Sequence, residues 1–261
     1  MTDLVVDQCR LSFTVEGPQE APALLLSNSL GTTTALWTAQ LDRLTRLFRV
    51  IRYDTRGHGL SDSPAGAYTL DRLGRDALAV LNASGVPHAH ACGISLGGMV
   101  ALWLAANAPD QVDRVVAANT GATIGTPKFW NQRAADAQAK GLGGIADTVT
   151  MRWFTERFRQ TDSATADRFR SMLSQCTVAG YTGCCAALRD ADLREDLGHI
   201  TAPVLVITGA MDEATPPDAG DFIRCRVKGA RGVTLEAAHL SNVEQADAFT
   251  SAILTFLTDP D

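Results

Sequence analysis

The pattern of apolar runs in this 261-residue chain predicts an α/β fold, a mostly parallel sheet flanked by helices with an inserted helical cap. Three observations carry that reading. Short β-rich runs alternate with helical patterns along the first third of the chain, and those runs end in segments rich in glycine, serine, asparagine and aspartate. Between about Ile124 and Leu197 the strand pattern gives way to helix-like stretches.

Ala23 to Ser27 and Val50 to Tyr53 are the first clear strands, leading into Asn28-Ser29-Leu30-Gly31-Thr32 and Asp54-Thr55-Arg56-Gly57-His58-Gly59. Thr69 to Ser84 carries Leu70, Leu73, Ala77, Val80 and Leu81 at helical spacing, and Gly85-Val86-Pro87 stops it. Ala89 to Gly93 supplies the next strand and runs into Ile94-Ser95-Leu96-Gly97-Gly98. Met99 to Asn107 then reads as helix, with Pro109 beyond its end. Val112 to Asn119, Val204 to Thr208 and Gly232 to Leu235 complete the strands before a closing helix over Ala246 to Leu257. In the cap, helices are expected over Pro127 to Lys140 and Ala146 to Phe158. Thr126 serves the first as N-cap, Pro127 takes its first helical position and Gly141 stops it. The division expected is a core of residues 1–123 and 198–261 around a cap of residues 124–197.

A chain of this length suits one α/β domain carrying one insertion. With 46% hydrophobic and 20% charged residues it lies far from the composition of disordered chains. A net charge of −6 provides no global positive field, so nucleic acid and anionic membranes are not expected as partners, and an anionic substrate must meet local arginines. The first residues, Met1-Thr2-Asp3-Leu4-Val5-Val6-Asp7, place acids where a secretory signal carries bases. No run is long and apolar enough to span a bilayer, and a cytoplasmic address is expected. The six cysteines, Cys9, Cys92, Cys176, Cys184, Cys185 and Cys225, lack zinc-site spacing and read as reduced; Cys184-Cys185 is expected to be surface thiols or cap packing. No oligomeric state is indicated.

Gly93-Ile94-Ser95-Leu96-Gly97 matches G-x-S-x-G, and it stands between a predicted strand and a predicted helix. A sharp strand-to-helix turn crowds the backbone, so the flanking glycines let Ser95 project, and the helix N-terminus favours an oxyanion. A serine hydroxyl needs a base to act as nucleophile, and the base needs a carboxylate to fix its tautomer. His88, His90 and His199 read as surface or loop residues, and His58 as a turn residue facing the cleft edge. His239 follows the last predicted strand and is the expected base. Asp212, beyond the strand ending at Thr208, completes the order Ser, Asp, His; Glu213 and Asp218 are its nearest competitors. The amide of Leu96 and that of Leu30 are the expected oxyanion donors. No cofactor or metal is called for. Together these residues predict an α/β-hydrolase fold.

At this level the chain resembles the bacterial 3-oxoadipate enol-lactonases (β-ketoadipate enol-lactone hydrolases). The resemblance rests on Leu26-Ser27-Asn28-Ser29-Leu30-Gly31, Tyr53-Asp54-Thr55-Arg56-Gly57-His58-Gly59, Gly93-Ile94-Ser95-Leu96-Gly97-Gly98 and Ala238-His239-Leu240-Ser241-Asn242-Val243-Glu244-Gln245. Many α/β-hydrolases carry His-Gly where this chain has Asn28-Ser29. In the cap, Phe129-Trp130-Asn131-Gln132-Arg133 and Arg152-Trp153-Phe154-Thr155 extend the likeness, whereas Met211, Glu213 and Cys184-Cys185 do not contribute to it. It implies hydrolysis of an enol-lactone to 3-oxoadipate in catabolism of protocatechuate or catechol, with a small anionic lactone as the partner. The lactone's carboxylate calls for a cation over the site: Arg133 is the first candidate and Arg152 the second, with Trp130 and Trp153 as pocket walls. Two rivals share these residues: a general carboxylesterase or carbon-carbon bond hydrolase, and a non-catalytic ligand receptor on the same fold.

Overall fold

The computed structural model describes residues 1–259. An N-terminal hairpin opens it, with strands β1 (Thr2–Val6) and β2 (Cys9–Glu16) joined through Asp7 and Gln8, both at positive φ (46° and 61°). Positive φ at both turn residues matches the twist of a two-residue hairpin. No apolar run in the sequence marks either strand of this hairpin. The core strands follow: β3 (Ala23–Ser27), β4 (Arg49–Tyr53), β5 (Ala89–Ile94), β6 (Val112–Ala118), β7 (Val204–Gly209) and β8 (Arg231–Leu235). They form one sheet in the order β1-β2-β4-β3-β5-β6-β7-β8, antiparallel at β1-β2 and β2-β4 and parallel elsewhere.

Every residue of β3, β5 and β7 is buried. Uninterrupted burial means helical cover on both faces, which is why these strands are apolar runs and not alternating ones. The helices are α1 (Thr38–Leu44), α2 (Leu70–Ala83), α3 (Leu96–Asn107), α4 (Pro127–Trp153), α5 (Glu156–Thr161), α6 (Ser163–Ser174), α7 (Val178–Asp190), α8 (Pro217–Arg226), α9 (Ser241–Glu244) and α10 (Ala246–Leu257). One group, α2, α3 and α8, lies along the strands, while α1 packs with α9 and α10. Ten of the twelve residues of α3 are buried, as expected of a helix apolar all round at the centre of the molecule. It begins at Leu96, three residues before the expected start. The expected closing helix coincides with α10.

Helices α4 to α7 lie between β6 and β7, and α4 packs on α6 and α7. Thr126 caps α4, its side chain accepting from the amide of Phe129, as its position before Pro127 predicts. Gly141, the expected stop, does break the helical backbone, at φ 68° and ψ 170°, so that α4 is two helices meeting at a kink there. The expected helix over Ala146 to Phe158 is corrected: α4 ends at Trp153, Phe154 is extended, and Thr155 caps a new short helix through the amide of Phe158. Phe154 leaves the helix to bury its ring against Phe158 and Phe169. His90 is not at the surface as expected; it is buried within β5 and meets the ring of Phe48 edge-on, whereas His88 and His199 are exposed. Cys184 and Cys185 are free thiols, both buried in α7, so their role is packing. No helix among the described residues is long and apolar enough to cross a membrane.

Candidate active site

Ser95 stands in the turn between β5 and α3 at φ 59° and ψ −119°, a strained backbone for a residue with a side chain. The turn survives because its flanks have no Cβ. One added at Gly93 would lie 2.0 Å from the Gly97 carbonyl oxygen, and one at Gly97 would lie 2.1 Å from that of Ser27. The strain is held from outside by the Ser95 amide, which donates to Ala118 (2.9 Å), and by Thr120 Oγ1, which donates to the Ser95 carbonyl (2.8 Å).

Asp212 lies in the loop after β7 and His239 in the loop after β8, so all three residues gather at the carboxyl edge of the parallel strands. His239 Nδ1 is 2.8 Å from Asp212 Oδ2, and both side chains are buried. That contact needs a proton on Nδ1, which leaves Nε2 of a neutral ring free to accept. Oδ2 of Asp212 also accepts from Thr215 Oγ1 (2.7 Å) and Asn119 Nδ2 (3.0 Å), while Oδ1 takes the amides of Ala214 (2.8 Å) and Thr215 (3.0 Å). Burial pushes the Asp212 carboxyl up, but the charge and hydrogen bond of His239 and the bonds from Thr215 outweigh it, and the group sits well below the usual carboxylate range. Glu213 and Asp218 have no such bonds, and neither reaches His239.

Ser95 and His239 line one cavity of about 350 Å³ with Leu30, Ile124, Phe129, Trp130, Arg133, Val149, Arg152, Trp153 and Tyr181. A volume near the lower end of ligand pockets suits a small molecule. The expected cap residues are therefore all present: Trp130 and Trp153 as buried walls, Arg133 and Arg152 as cations. Phe129, to which the sequence alone assigns no role, holds both arginines, with their guanidinium carbons 5.2 and 5.3 Å from its ring centre. Neither arginine forms an ion pair among the described residues. Arg152 instead donates to the carbonyl of Glu213 (2.9 Å). Both guanidinium groups thus line the cavity, and the exposed Glu213, whose carbonyl meets Arg152, lines it as well.

Leu30 lines the cavity and Leu96 opens α3, and among the described residues neither amide donates a hydrogen bond within the protein. Asn28 explains why the loop before Leu30 holds without the His-Gly of many other α/β-hydrolases. Its Nδ2 donates to the Tyr53 carbonyl (2.8 Å) and its Oδ1 accepts from Trp37 Nε1 (2.9 Å). His58 does not line the cavity; it is buried behind the loop, where its Nε2 accepts the amide of Gly31 (2.9 Å). Among the described residues, no group of three or more His, Cys, Asp or Glu side chains is placed to hold a metal ion.

The sequence model for the alpha/beta hydrolase fold matches residues 22–246. Among curated proteins, 3-oxoadipate enol-lactonase 2 of Acinetobacter baylyi is 40% identical over 96% of this chain and 94% of its own length. 3-Oxoadipate enol-lactonase 1 of the same organism is 38% identical, over 95% and 92% respectively. Among solved structures, the enol-lactonase from Burkholderia xenovorans LB400 superposes with a TM-score of 0.97 at 39% identity, covering 99% of this chain and all of that one.

Proposed function

We propose that this chain, which belongs to the α/β-hydrolase family and within it to the 3-oxoadipate enol-lactonases, opens 3-oxoadipate enol-lactone to 3-oxoadipate with Ser95, His239 and Asp212 as its catalytic triad. The single observation that carries the substrate class is the pairing, in one small cavity, of a serine-histidine-aspartate array with cap arginines that form no ion pair among the described residues. Such a cavity favours an acyl compound bearing a negative charge.

In this reading Nε2 of His239 takes the hydroxyl proton as Ser95 Oγ attacks the lactone carbonyl. The amides of Leu30 and Leu96 receive the charge that develops on the carbonyl oxygen. Collapse breaks the ring carbon-oxygen bond, and the ring oxygen leaves as an enolate, a better leaving group than an alkoxide. His239 returns the proton to it. Water, deprotonated in turn by His239, then cleaves the acyl-serine bond, and the freed enol tautomerises to the ketone. Asp212 stabilises the imidazolium throughout. Arg133 binds the lactone's carboxylate, with Arg152 beside it, and Trp130 and Trp153 wall the ring. Residues 124–197 act as the cap that sets this choice, on a core of residues 1–123 and 198–261.

Turnover of purified enol-lactone, followed spectroscopically beside a panel of short neutral p-nitrophenyl esters, tests the reading. The expected result is a kcat/KM for the lactone far above that of any ester. A preference for the neutral esters overturns it in favour of a general carboxylesterase. Labelling by a fluorophosphonate, lost in Ser95→Ala, separates an enzyme from a receptor.

A further inference from the structure

His58 lies outside the cavity, yet both its ring nitrogens are engaged at the back of the loop that carries Leu30. Nε2 is 2.9 Å from the Gly31 amide nitrogen, and Nδ1 is 3.3 Å from the carbonyl oxygen of Arg56. An amide N-H only donates and a carbonyl only accepts, so this pair of contacts admits one tautomer, with the proton on Nδ1 and a lone pair on Nε2. The ring is 2% exposed, and neither nitrogen touches a carboxylate. Burial accordingly lowers its pKa to about 4, which keeps it neutral at neutral pH.

Gly31 follows Leu30 directly and stands at φ 82°, in a turn closed by the Thr32 amide (3.2 Å) and Thr32 Oγ1 (2.8 Å), both donating to the Ser29 carbonyl. Those bonds fix Ser29 and Thr32. The Ser29 carbonyl and the Leu30 N-H share one planar peptide, so those bonds also set the direction of the Leu30 N-H, while the bond from Gly31 to His58 sets the Leu30-Gly31 peptide on the other side of Leu30 Cα. Without an acceptor at Nε2, the Gly31 N-H would be buried and unpaired, and the turn would gain by rotating it elsewhere.

We propose that His58 is a positioning residue for the reaction: as a neutral Nδ1-H imidazole it holds the Gly31 amide and so keeps the turn in the form in which the Thr32 bonds to the Ser29 carbonyl aim the Leu30 N-H at the developing oxyanion. This rests on the reading of Leu30 as an oxyanion donor. The consequence is selective, since a misaimed donor weakens binding of the tetrahedral intermediate and leaves the arginine contacts to the substrate carboxylate in place.

Two side chains split the ring's functions. Asn places a polar atom near the position of Nδ1 and none near Nε2, whereas Gln reaches the Nε2 position with an oxygen that can accept from Gly31. His58→Asn is expected to lower kcat by about 10- to 100-fold with KM changed less than about threefold, and His58→Gln to recover most of that loss. The same order is expected for the rate of fluorophosphonate labelling, which does not depend on the lactone being the substrate. A folded His58→Asn enzyme with wild-type kcat and labelling rate, or equal damage in both variants, overturns the proposal. If lactone turnover is absent from the wild type but the labelling order holds, the substrate reading fails and the role of His58 stands. Nitrogen-15 NMR of the wild type needs no variant to fold: a coupling across the hydrogen bond between the Gly31 amide nitrogen and an unprotonated His58 Nε2 is expected, and a protonated Nε2 at neutral pH overturns the assignment.

Discussion

Asn119 Nδ2 donates to Asp212 Oδ2 across 3.0 Å, joining the end of β6 to the loop after β7. The same nitrogen reaches the carbonyl of Ala238 (3.2 Å), the residue before His239, and Asn119 Oδ1 accepts from Ser241 Oγ (2.5 Å), just beyond it. One side chain, held at a positive φ of 44°, thus ties the carboxylate to both flanks of the histidine. Asn119→Ala is expected to lower kcat about tenfold and leave KM nearly unchanged, because the pair loses orientation and not substrate contacts. Steady-state kinetics separates the two constants. An unchanged kcat would remove Asn119 from this role.

Arg133 is expected to act on the charge of the substrate. Arg133→Met keeps the apolar stem and removes the cation, and a charge-assisted contact of about 1.5–3 kcal/mol corresponds to a KM for the lactone raised about 10- to 100-fold. Turnover of a neutral ester should move less than about threefold. Equal loss on both substrates would assign Arg133 to cap packing.

Glu244 binds the cap to the histidine loop. Its carboxylate accepts from the hydroxyl of Thr155 and from the amides of Thr155 (3.2 Å) and Ala238 (3.1 Å), while the Leu240 amide donates to the Trp153 carbonyl (2.9 Å) nearby. Glu244→Gln replaces one accepting oxygen by a donor and weakens these bonds together. Faster hydrogen exchange at Thr155 and Ala238 is expected, with a stability loss of about 1–3 kcal/mol. Exchange unchanged at both amides would show that the cap is held by other contacts.

Acid should destabilise the protein before its carboxylates titrate. His58 is buried neutral with its pKa lowered to about 4 from 6.5, and His90 is shifted in the same direction by burial. Between those values the unfolded chain binds a proton that folded His58 refuses, so its contribution is complete above pH 6.5 and falls as pH drops toward 4. The slope from His58 alone is about 1.4 kcal/mol per pH unit. Asp212, shifted downward, adds its own loss only once pH falls below about 4. Chemical denaturation at pH 7, 5.5 and 4.5 measures the slope, and a flat profile over that range would contradict the burial of a neutral His58.

Most of what was legible in the sequence was local. Apolar runs ending in turns gave six of the sheet's eight strands, and the clearest reason holds for β3, β5 and β7, which are covered on both faces and so are apolar runs. The hairpin of β1 and β2 gave no such run: its strands are partly exposed, and Asp7-Gln8 is not the Asn-Gly or Asp-Gly pair that marks a two-residue turn. The break at Phe154 was equally hidden. A helical pattern runs through it, and the chain leaves the helix only because Phe158 and Phe169 offer the ring a better place.

By itself the sequence determined the nucleophile turn. Gly93 is required before Ser95 by steric contact with its near neighbour Gly97, whereas Gly97 itself is required by the distant end of β3 at Ser27, and the order of strands put Asp212 and His239 at the same edge of the sheet. Tertiary structure alone decided which distant groups complete the arrangement. Asn119, Thr215, Glu244 and His58 carry residue types common in any turn, and their meaning lies in which atom each one meets: the carboxylate of Asp212 for the first two, the amides of Thr155 and Ala238 for Glu244, the amide of Gly31 for His58. Hydrogen bonds act over about 3 Å, and a chain order carries no information at that resolution until the sheet and the cap have closed around it.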